Sequence, residues 1–486
     1  MCVSRHKQTN TMNTKTLTIL IIILTALTPS QSKGQTVWSL QQCIDHALEK
    51  NIDIRRQRLQ AERSGNELFQ SYANIFPSLN AGSSGGMNFG RNIDEVTNEV
   101  FTQRITSQNI QVSSSYNLFA GFRNINNIRY NLSRHTAFKY DTGRMENDII
   151  LAIANAYLQV LYFKDMAEVS REQLEVVQQQ LERTRILLEG GTVSRGAVLD
   201  MEATAAGHEE TMIATENQLE LSYLELMMLL ELDPSMSFAI ERPDLQVDEV
   251  QLLNSPDQIV ERALLTEPGV LGARERISMA EKGLAITRGQ RYPTLTLNAS
   301  LGTRYSDAAK RPVVNNPGDV PGMYGSPALR QSMNLGGNGQ PALETIPYMD
   351  QLNDNYYRAI QLSLYIPLFN QFNVRTNVQN SRIDLEQSKL GYQRSKNDIS
   401  RVINHAHADA QAAYQQYISA TKTLEAAIES FRHTEQSFNL GVASTIEYNE
   451  ARVRADRARI NALQSMYEFV FMTKILEFYQ GKGFTL

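Results

Sequence analysis

The chain repeats one order of sequence signals at a spacing of about 250 residues, which is much longer than the period of a solenoid repeat. Each half is predicted to begin with a polar helix, over residues 40–72 and 255–289, followed by two strands, a very long helix and a return helix. A spacing of this size indicates duplication of a whole structural module. We therefore divide the chain into a first repeat, residues 35–250, and a second repeat, residues 251–486.

Alternating segments follow the opening helix in each half. A proline, Pro77 or Pro293, ends that helix because proline lacks the amide hydrogen that a helix interior requires. Beyond it, one side of each segment is mainly apolar at a period of two, which is typical of a β-strand. The sequence therefore predicts four strands of about ten residues. The positions on this side are Ile110, Val112, Ser114, Tyr116 and Leu118 in the first half, and Leu295, Leu297, Ala299, Leu301, Leu362, Leu364 and Ile366 in the second.

Each pair of strands leads into a similar corner and then into a long stretch without proline. Leu118-Phe119 in the first corner corresponds to Leu368-Phe369 in the second. Apolar residues recur at three and four positions beyond each corner, which predicts a packed helix of about 65 residues, roughly 100 Å long. Glycines then mark a turn before each return helix. The long helices are predicted over residues 123–188 and 373–438, and the return helices over residues 195–232 and 445–479.

The two halves differ in the loop between their paired strands. The first loop is predicted over residues 83–109 and the second over residues 304–358, where Gly, Pro and Asn are frequent. The second contains Gly336-Gly337-Asn338-Gly339, but no Gly-Lys-Ser/Thr follows as a phosphate-binding loop would require. We expect a solvated loop at the extracellular side.

An export signal is predicted at the N-terminus. A short polar segment that starts at Met12 and contains Lys15 precedes an apolar run over residues 17–27, and small and polar residues follow. The run has about 11 residues, fewer than the roughly 20 that span a bilayer as a helix. We assign residues 1–34 to a signal peptide, with Met12 as an alternative start.

Composition excludes several classes of protein. The chain has 47 basic and 52 acidic residues, a formal net charge of −5 and no basic block, which argues against binding to nucleic acid. No second long apolar run follows the N-terminus, which excludes a transporter built from many membrane helices. Two cysteines, Cys2 and Cys43, are too few for a disulfide framework or a four-cysteine zinc site.

Four strands of this length match a tilted membrane-spanning sheet, but four strands cannot close into a barrel. An open edge in lipid would leave backbone groups without hydrogen-bond partners. The chain is therefore expected to share a barrel with copies of itself. Two, three or four copies would give eight, twelve or sixteen strands, and the strand count alone does not choose among them.

The duplicated order of helix, strands, Leu-Phe corner, long helix, glycine turn and return helix resembles the TolC-type outer-membrane efflux duct family. The opening segment, residues 38–51, is also similar to that family's first helix. The resemblance covers nearly all of the chain after residue 34. It implies a mostly α fold with transmembrane β: a homotrimer with a twelve-stranded barrel in the outer membrane of a Gram-negative bacterium, continued by a periplasmic α-helical coiled-coil barrel. It further implies a passive exit duct for efflux or type I secretion that docks to a periplasmic adaptor and an inner-membrane pump.

The resemblance also assigns candidate site residues. Glu447 and Glu450 lie three positions apart after the second turn, so they share a helix face, and the family has acidic residues there at a narrow periplasmic entrance. At the matching steps the first half has Ala197 and Asp200. The pore-entrance prediction therefore comprises Glu447, Glu450 and Asp200, and a trimer would collect the two glutamates into a ring of six. The predicted adaptor-docking tips are Gly191, Val193, Ser194, Gly441, Ala443 and Ser444.

Enzymatic and metal-binding functions are not expected. His405 and His407 are two residues apart, so they point to different faces of a helix. No nucleophile or paired acid–base motif occurs, and the sequence predicts no cofactor and no metal site. The alternative function is a periplasmic coiled-coil scaffold without a pore, in which case the four strands would be misassigned.

Overall fold

The computed structural model describes residues 36–93, 100–102, 104–243, 255–312 and 343–484. The predicted signal peptide and the Gly336–Gly339 segment lie outside these ranges. The helices are α1 (Leu40–Lys50), α2 (Ile52–Ala73), α3 (Arg123–Glu189), α4 (Arg195–Leu229), α5 (Pro256–Thr266), α6 (Pro268–Gly289), α7 (Tyr348–Asp354), α8 (Asn373–Asn439) and α9 (Thr445–Tyr479). The strands are β1 (Thr36–Trp38), β2 (Ser78–Asn88), β3 (Arg91–Ile93), β4 (Val100–Thr102), β5 (Ile105–Ala120), β6 (Phe238–Ile240), β7 (Thr294–Ser306), β8 (Lys310–Pro312), β9 (Leu343–Thr345) and β10 (Tyr357–Tyr365).

The long helices occur in matched pairs, as the sequence predicts. Helices α3 and α8 have 67 residues each, and the return helices α4 and α9 have 35 residues each. Two helices of equal length in corresponding places of both halves are what duplication of one module produces.

The opening helix of each half is broken in two, which corrects the prediction of single helices over residues 40–72 and 255–289. In the first half the break is at Asn51, whose extended ψ of 130° ends α1. The Asn51 side-chain oxygen then accepts hydrogen bonds from the amides of Asp53 and Ile54 and begins α2. In the second half Pro268 is the first residue of α6, and a residue before proline is disfavoured in the helical conformation.

The chain forms two compact units that do not coincide with the two repeats. One unit takes Arg56–Arg144 and Leu264–Ser400, and we call it the sheet unit. The other takes the described residues of Met1–Arg55, Met145–Ala263 and Arg401–Leu486, and we call it the hairpin unit. Each unit therefore combines segments of the first and the second repeat.

The sheet unit contains the four predicted strands as one antiparallel sheet in the order β10-β7-β5-β2. Direct partners lie on the same face, so the register defines what each face carries. Leu362 pairs with Leu297, which in turn pairs with Tyr116, and these residues belong to the apolar face. Ser363 pairs with Thr296, which pairs with Asn117, and these residues belong to a face of hydroxyl and amide groups.

The predicted strand limits are corrected in detail. Strand β2 continues to Asn88 and β5 begins at Ile105, so the first loop is shorter than residues 83–109. A bulge between Asn117 and Phe119 takes Leu118 out of the alternation. Strand β10 ends at Tyr365, so Ile366 lies outside it.

Two matching corners end the sheet. Gly121 and Phe122 have positive φ values of 60° each, and Gln371 and Phe372 have 54° and 62°. In both corners two phenylalanines meet edge to face, with ring centroids 5.3 Å apart for Phe119 and Phe122 and 5.6 Å apart for Phe369 and Phe372. The same backbone reversal and ring contact in both halves confirm the predicted corner repeat.

Part of the predicted second loop is ordered against the sheet. Strand β7 runs to Ser306, and short strands β8 and β9 pair antiparallel. Helix α7 carries Gln351, which is buried and fixed by three hydrogen bonds: it accepts from the Ser306 amide and donates to the carbonyls of Ser306 and Ile346. The remainder of the loop, residues 313–342, lies outside the described residues.

The hairpin unit has its own hydrophobic core. Strand β1 pairs in parallel with β6, and the Tyr157 hydroxyl from α3 lies 2.8 Å from the Glu241 carbonyl, to which it donates. Cys43 is fully buried in this core, and burial raises the pKa of its thiol to about 12, so it is an inert packing residue. Helix α3 contains an 18-residue window apolar enough to cross a membrane, but half of that window is buried inside the protein. The core includes Leu40, Cys43, Ile44, Ile153, Tyr157, Leu161, Leu226, Leu230, Ile240, Tyr467 and Val470.

Candidate functional site

Two helical hairpins in the hairpin unit end in similar glycine turns. Gly191 follows α3 with φ of 72°, and Gly441 follows α8 with φ of 77°. Nothing lies within 4 Å of a Cβ built at either position, so the backbone conformation and not crowding selects glycine. The amides of Gly191 and Gly441 donate to the carbonyls of Leu188 and Phe438, which closes the last turn of each long helix.

A serine begins each return helix. The Ser194 hydroxyl oxygen accepts from the Ala197 amide at 3.3 Å, and the Ser444 hydroxyl oxygen accepts from the Glu447 amide at 3.3 Å. Only the second turn completes a reciprocal capping box, in which the Ser444 amide donates to Glu447 Oε2 at 2.7 Å. The first turn has Ala197 at the corresponding place and lacks an acceptor there.

Glu447 is therefore held at the beginning of α9. Hydrogen bonds from the backbone and hydroxyl of Ser444 lower the pKa of Glu447, because both favour the charged carboxylate. The side chain stays ionised through the neutral range and loses its cap only when acid protonates it. The family resemblance implies a place for Glu447 at the pore entrance, which stays a prediction. The Ser-x-x-Glu spacing of residues 444–447 is the sequence signal for its role in the cap, which the prediction did not include.

The other two predicted acids are also exposed. The Glu450 carboxylate lies 3.6 Å from the Arg454 guanidinium, one turn further along α9, with both side chains more than half exposed. Asp200 is exposed on α4. Within the described part of the chain, no hydrogen bond or ion pair joins Asp200 to either glutamate. The structure thus places Glu447 and Glu450 near the start of α9, and Asp200 at the matching place on α4.

The tips expose apolar side chains that are not among the predicted docking residues. Of the six predicted docking residues, Gly191, Ser194, Gly441 and Ser444 are exposed, whereas Val193 and Ala443 are half-buried. Three apolar side chains at the second turn are far more accessible: Leu440 at 80%, Val442 at 81% and Ile446 at 71%. They flank the turn glycine, and their closeness in sequence to Gly441 is the signal that would have identified them.

Polar contacts join the two hairpins within the hairpin unit. Arg183 on α3 donates to Asn439 at the end of α8 at 2.7 Å, and Tyr467 on α9 donates to Asp165 on α3 at 2.8 Å. Between them, Arg452 on α9 donates to the backbone carbonyl of Gln173 on α3 at 3.2 Å. None of these contacts is predictable from sequence spacing, because they join helices that are far apart along the chain.

The histidine pair does not form a ligand cluster with neighbouring groups. His405 is exposed and His407 is half-buried on α8. Among the residues that the structure describes, no group of three or more His, Cys, Asp or Glu side chains has an arrangement suited to a metal ion.

Comparisons with known proteins agree on one family and fold. A family model described as "Outer membrane efflux protein" matches residues 43–230 and 259–469. The chain is 23% identical over 348 residues to the outer membrane protein TolC of Vibrio cholerae, covering 70% of this chain and 68% of that protein. It is 23% identical over 183 residues to the pyoverdine export outer membrane protein OpmQ of Pseudomonas aeruginosa, covering 37% of this chain and only 38% of that protein. The CmeC outer membrane channel of Campylobacter jejuni has the same fold, with a TM-score of 0.75, 14% identity, and coverage of 100% of this chain and 94% of that chain.

Proposed function

Because the chain belongs to the outer membrane efflux protein family, we propose that three copies form a passive exit duct in the outer membrane. The chain is an outer-membrane protein with the fold of TolC-type channels. In the proposed trimer, each copy contributes four strands to a twelve-stranded barrel and its long helical hairpins to a periplasmic coiled-coil barrel. Residues 1–34 would direct export and be removed.

The two-faced sheet is the observation that carries this proposal. Strands β2 and β10 are its outer strands, and neither pairs on its other side with a further strand among the described residues. Exposed apolar residues crowd one face of β10, with Ile360, Leu362 and Leu364 at 81%, 60% and 63%. A face of this kind suits lipid, the opposite hydroxyl and amide face suits water, and the free edges require neighbours. Joining β2 of one copy to β10 of the next satisfies all three requirements.

The acidic residues supply the proposed entrance. Around a threefold axis, Glu447 and Glu450 would form a ring of six carboxylates, with Asp200 contributing from α4. Such a ring attracts cations and repels anions. Arg454 opposes Glu450 at 3.6 Å, so we expect cation selectivity to be moderate. Both hairpin tips, including the exposed Leu440, Val442 and Ile446, would dock the periplasmic adaptor that connects the duct to an inner-membrane pump.

Planar-bilayer conductance, combined with a native mass of the conducting species, tests the duct. We expect discrete channels from a species of three chains, and no conductance from the same preparation after it is dissociated to monomers. A detergent-solubilised monomer that retains the full strand content would refute the trimer. A water-soluble oligomer that never conducts and does not fractionate with the outer membrane would favour the periplasmic scaffold instead.

A further inference from the structure

One charged residue lies on the apolar face of the sheet. Arg358 in β10 pairs with Leu301 in β7, which pairs with Val112 in β5, and direct partners share a face. The next residues of β10 on that face are Ile360 and Leu362, and both are highly exposed. Arg358 is exposed beside them, although a charge on a lipid-facing surface is costly deep in the hydrocarbon. Its position along the strand therefore matters.

Arg358 lies at the loop end of that face, where helix α7 covers the sheet. Two residues beyond Leu301, the Thr303 hydroxyl donates to the Leu352 carbonyl of α7 at 2.7 Å. Helix α7 contains two aspartates, which belong in water and not in hydrocarbon. Two strand residues span about 7 Å, so Arg358 lies within one side-chain length of this boundary. An arginine at the edge of the lipid costs much less than one at its centre.

Tyrosines occur at the same end of the sheet. Tyr305 and Tyr348 meet edge to face with ring centroids 4.9 Å apart, and the Tyr348 hydroxyl donates to Gln108 at 2.8 Å. Tyr356 immediately precedes β10 and is 45% exposed. Aromatic residues form girdles at the two surfaces of the lipid around membrane barrels, because one end of the ring is apolar and the hydroxyl prefers water. These tyrosines support a place for Arg358 at the level of the lipid headgroups.

Tyr356 orients the guanidinium of Arg358. Arg358 Nε donates to the Tyr356 hydroxyl at 2.9 Å, and the guanidinium carbon lies 4.9 Å from the centre of the Tyr356 ring. The Nη1 and Nη2 groups of Arg358 form no hydrogen bond or ion pair with any residue that the structure describes. Two parallel N–H groups of a guanidinium match two oxygens of a phosphate. Arg358 is thus a fixed positive charge whose paired donors are available.

The neighbouring copy in the proposed trimer does not supply a carboxylate from its paired strand. Strand β10 would join β2 of that copy, and every residue of β2 (Ser78–Asn88) is uncharged. An ion pair between these two strands is therefore excluded. The remaining source of negative charge at this surface is the lipid headgroup layer.

We propose that Arg358, oriented by Tyr356, binds the phosphate group of a membrane lipid whose acyl chains contact Ile360 and Leu362. The phosphate supplies the negative charge and the paired acceptors that the guanidinium lacks. The acyl chains bury exposed apolar surface, which favours a lipid over free phosphate. This inference rests on the proposed function, because it requires the apolar face to contact lipid. In the proposed duct the lipid belongs to the outer leaflet.

Native mass spectrometry of the purified protein in detergent measures this binding as the number of lipids per chain over a range of lipid concentrations. The probe is phosphatidic acid, whose headgroup is one phosphate, and the comparison lipid is diacylglycerol with the same acyl chains. We expect the wild type to prefer phosphatidic acid, and excess inorganic phosphate should not displace it. Arg358→Gln should weaken the affinity for phosphatidic acid about tenfold, because hydrogen bonds to charged groups contribute on that scale. Tyr356→Phe keeps the ring but removes the hydroxyl acceptor, so it should weaken binding less than Arg358→Gln does.

Arg304→Gln is the matched control. Arg304 in β7 pairs with Asn109 and lies on the opposite, hydroxyl and amide face, so its replacement should leave the lipid affinity unchanged. The contact is refuted if Arg358→Gln binds phosphatidic acid as the wild type does, or if both arginine variants lose affinity equally. Displacement of the lipid by inorganic phosphate would also refute it, since the site would then recognise phosphate without a lipid.

The same measurements separate this contact from the duct. A larger loss with Arg304→Gln than with Arg358→Gln would refute the contact and reverse the two faces of the sheet. A protein that binds phosphatidic acid through Arg358 but never conducts would refute the duct and retain the contact. A conducting trimer whose lipid affinity does not depend on Arg358 would retain the duct and refute the contact.

Discussion

Arginine substitutions on the two faces of β10 test which face contacts lipid and which contacts water. Leu362 and Ser363 are neighbours near the middle of the strand, and their pairing with Leu297 and Thr296 puts them on opposite faces of the sheet. Leu362→Arg would place a charge on the apolar face. Arginine facing lipid near the middle of the bilayer costs about 2–4 kcal/mol, which corresponds to roughly a 30- to 1,000-fold change in the folding equilibrium.

The matched variant is Ser363→Arg, which places the same side chain one residue away on the face of hydroxyls and amides. A substitution whose side chain faces water usually changes stability by no more than about 0.5 kcal/mol. Urea unfolding of the protein folded into lipid vesicles measures both variants on one scale. We expect Leu362→Arg to lower the urea concentration at the unfolding midpoint strongly. Ser363→Arg should leave that midpoint close to the wild-type value.

Equal destabilisation by the two variants would contradict the assigned orientation of the sheet. A larger effect of Ser363→Arg would reverse the two faces. If neither variant changed stability in vesicles, the sheet would not be in contact with lipid and the membrane role of these strands would be wrong.

Three further predictions concern other parts of the chain. Tyr467→Phe removes the hydrogen bond that Tyr467 donates to the buried Asp165, and thermal unfolding should show a loss of about 1.5–3 kcal/mol; an unchanged midpoint would mean that the bond contributes nothing. Replacing Glu447 and Glu450 by Gln should weaken cation selectivity and block by trivalent cations in bilayers while the cap at Ser444 persists, since glutamine also completes a capping box; wild-type selectivity would remove both residues from the entrance. An epitope tag at Asn338, outside the described residues, should bind antibody on intact cells, whereas binding only after outer-membrane permeabilisation would reverse the topology.

The helical plan was predictable from sequence because it depends on local signals. Helix α9 begins and ends at the predicted residues, since Ser444 caps it and the preceding Gly441 ends α8. The break at Asn51 was not predicted, because no glycine or proline marks it in the sequence. Asparagine can end one helix and cap the next with its side chain, as Asn51 does here. The length of β5 was also underestimated, because Ser and Thr positions weaken the alternation at its beginning.

Candidate site residues were predictable only where they lie close together in sequence. Glu447 and Glu450 are neighbours on one helix, so spacing suffices to group them. The hydrogen bond from Arg452 to the Gln173 carbonyl joins α9 to α3, and no sequence spacing connects these two residues. One local clue existed: Arg452 and Asp456 stand four residues apart among the buried alanines of α9, which include Ala451 and Ala455.

In the proposed duct, the hydroxyl and amide face of the sheet would line the path of the cargo. Its described residues in β2, β5, β7 and β10 are uncharged except for Arg304, near the end of β7. The other charged residue of these four strands, Arg358 in β10, pairs with Leu301 and lies on the apolar face. The hydroxyl and amide groups of such a wall form hydrogen bonds much as water does. A solute that moves along the wall would therefore interact with it similarly whether the solute is positively or negatively charged. Directed changes of substrate range should therefore begin at the charged residues of α9, where a single replacement alters the field, and leave this neutral wall as it is.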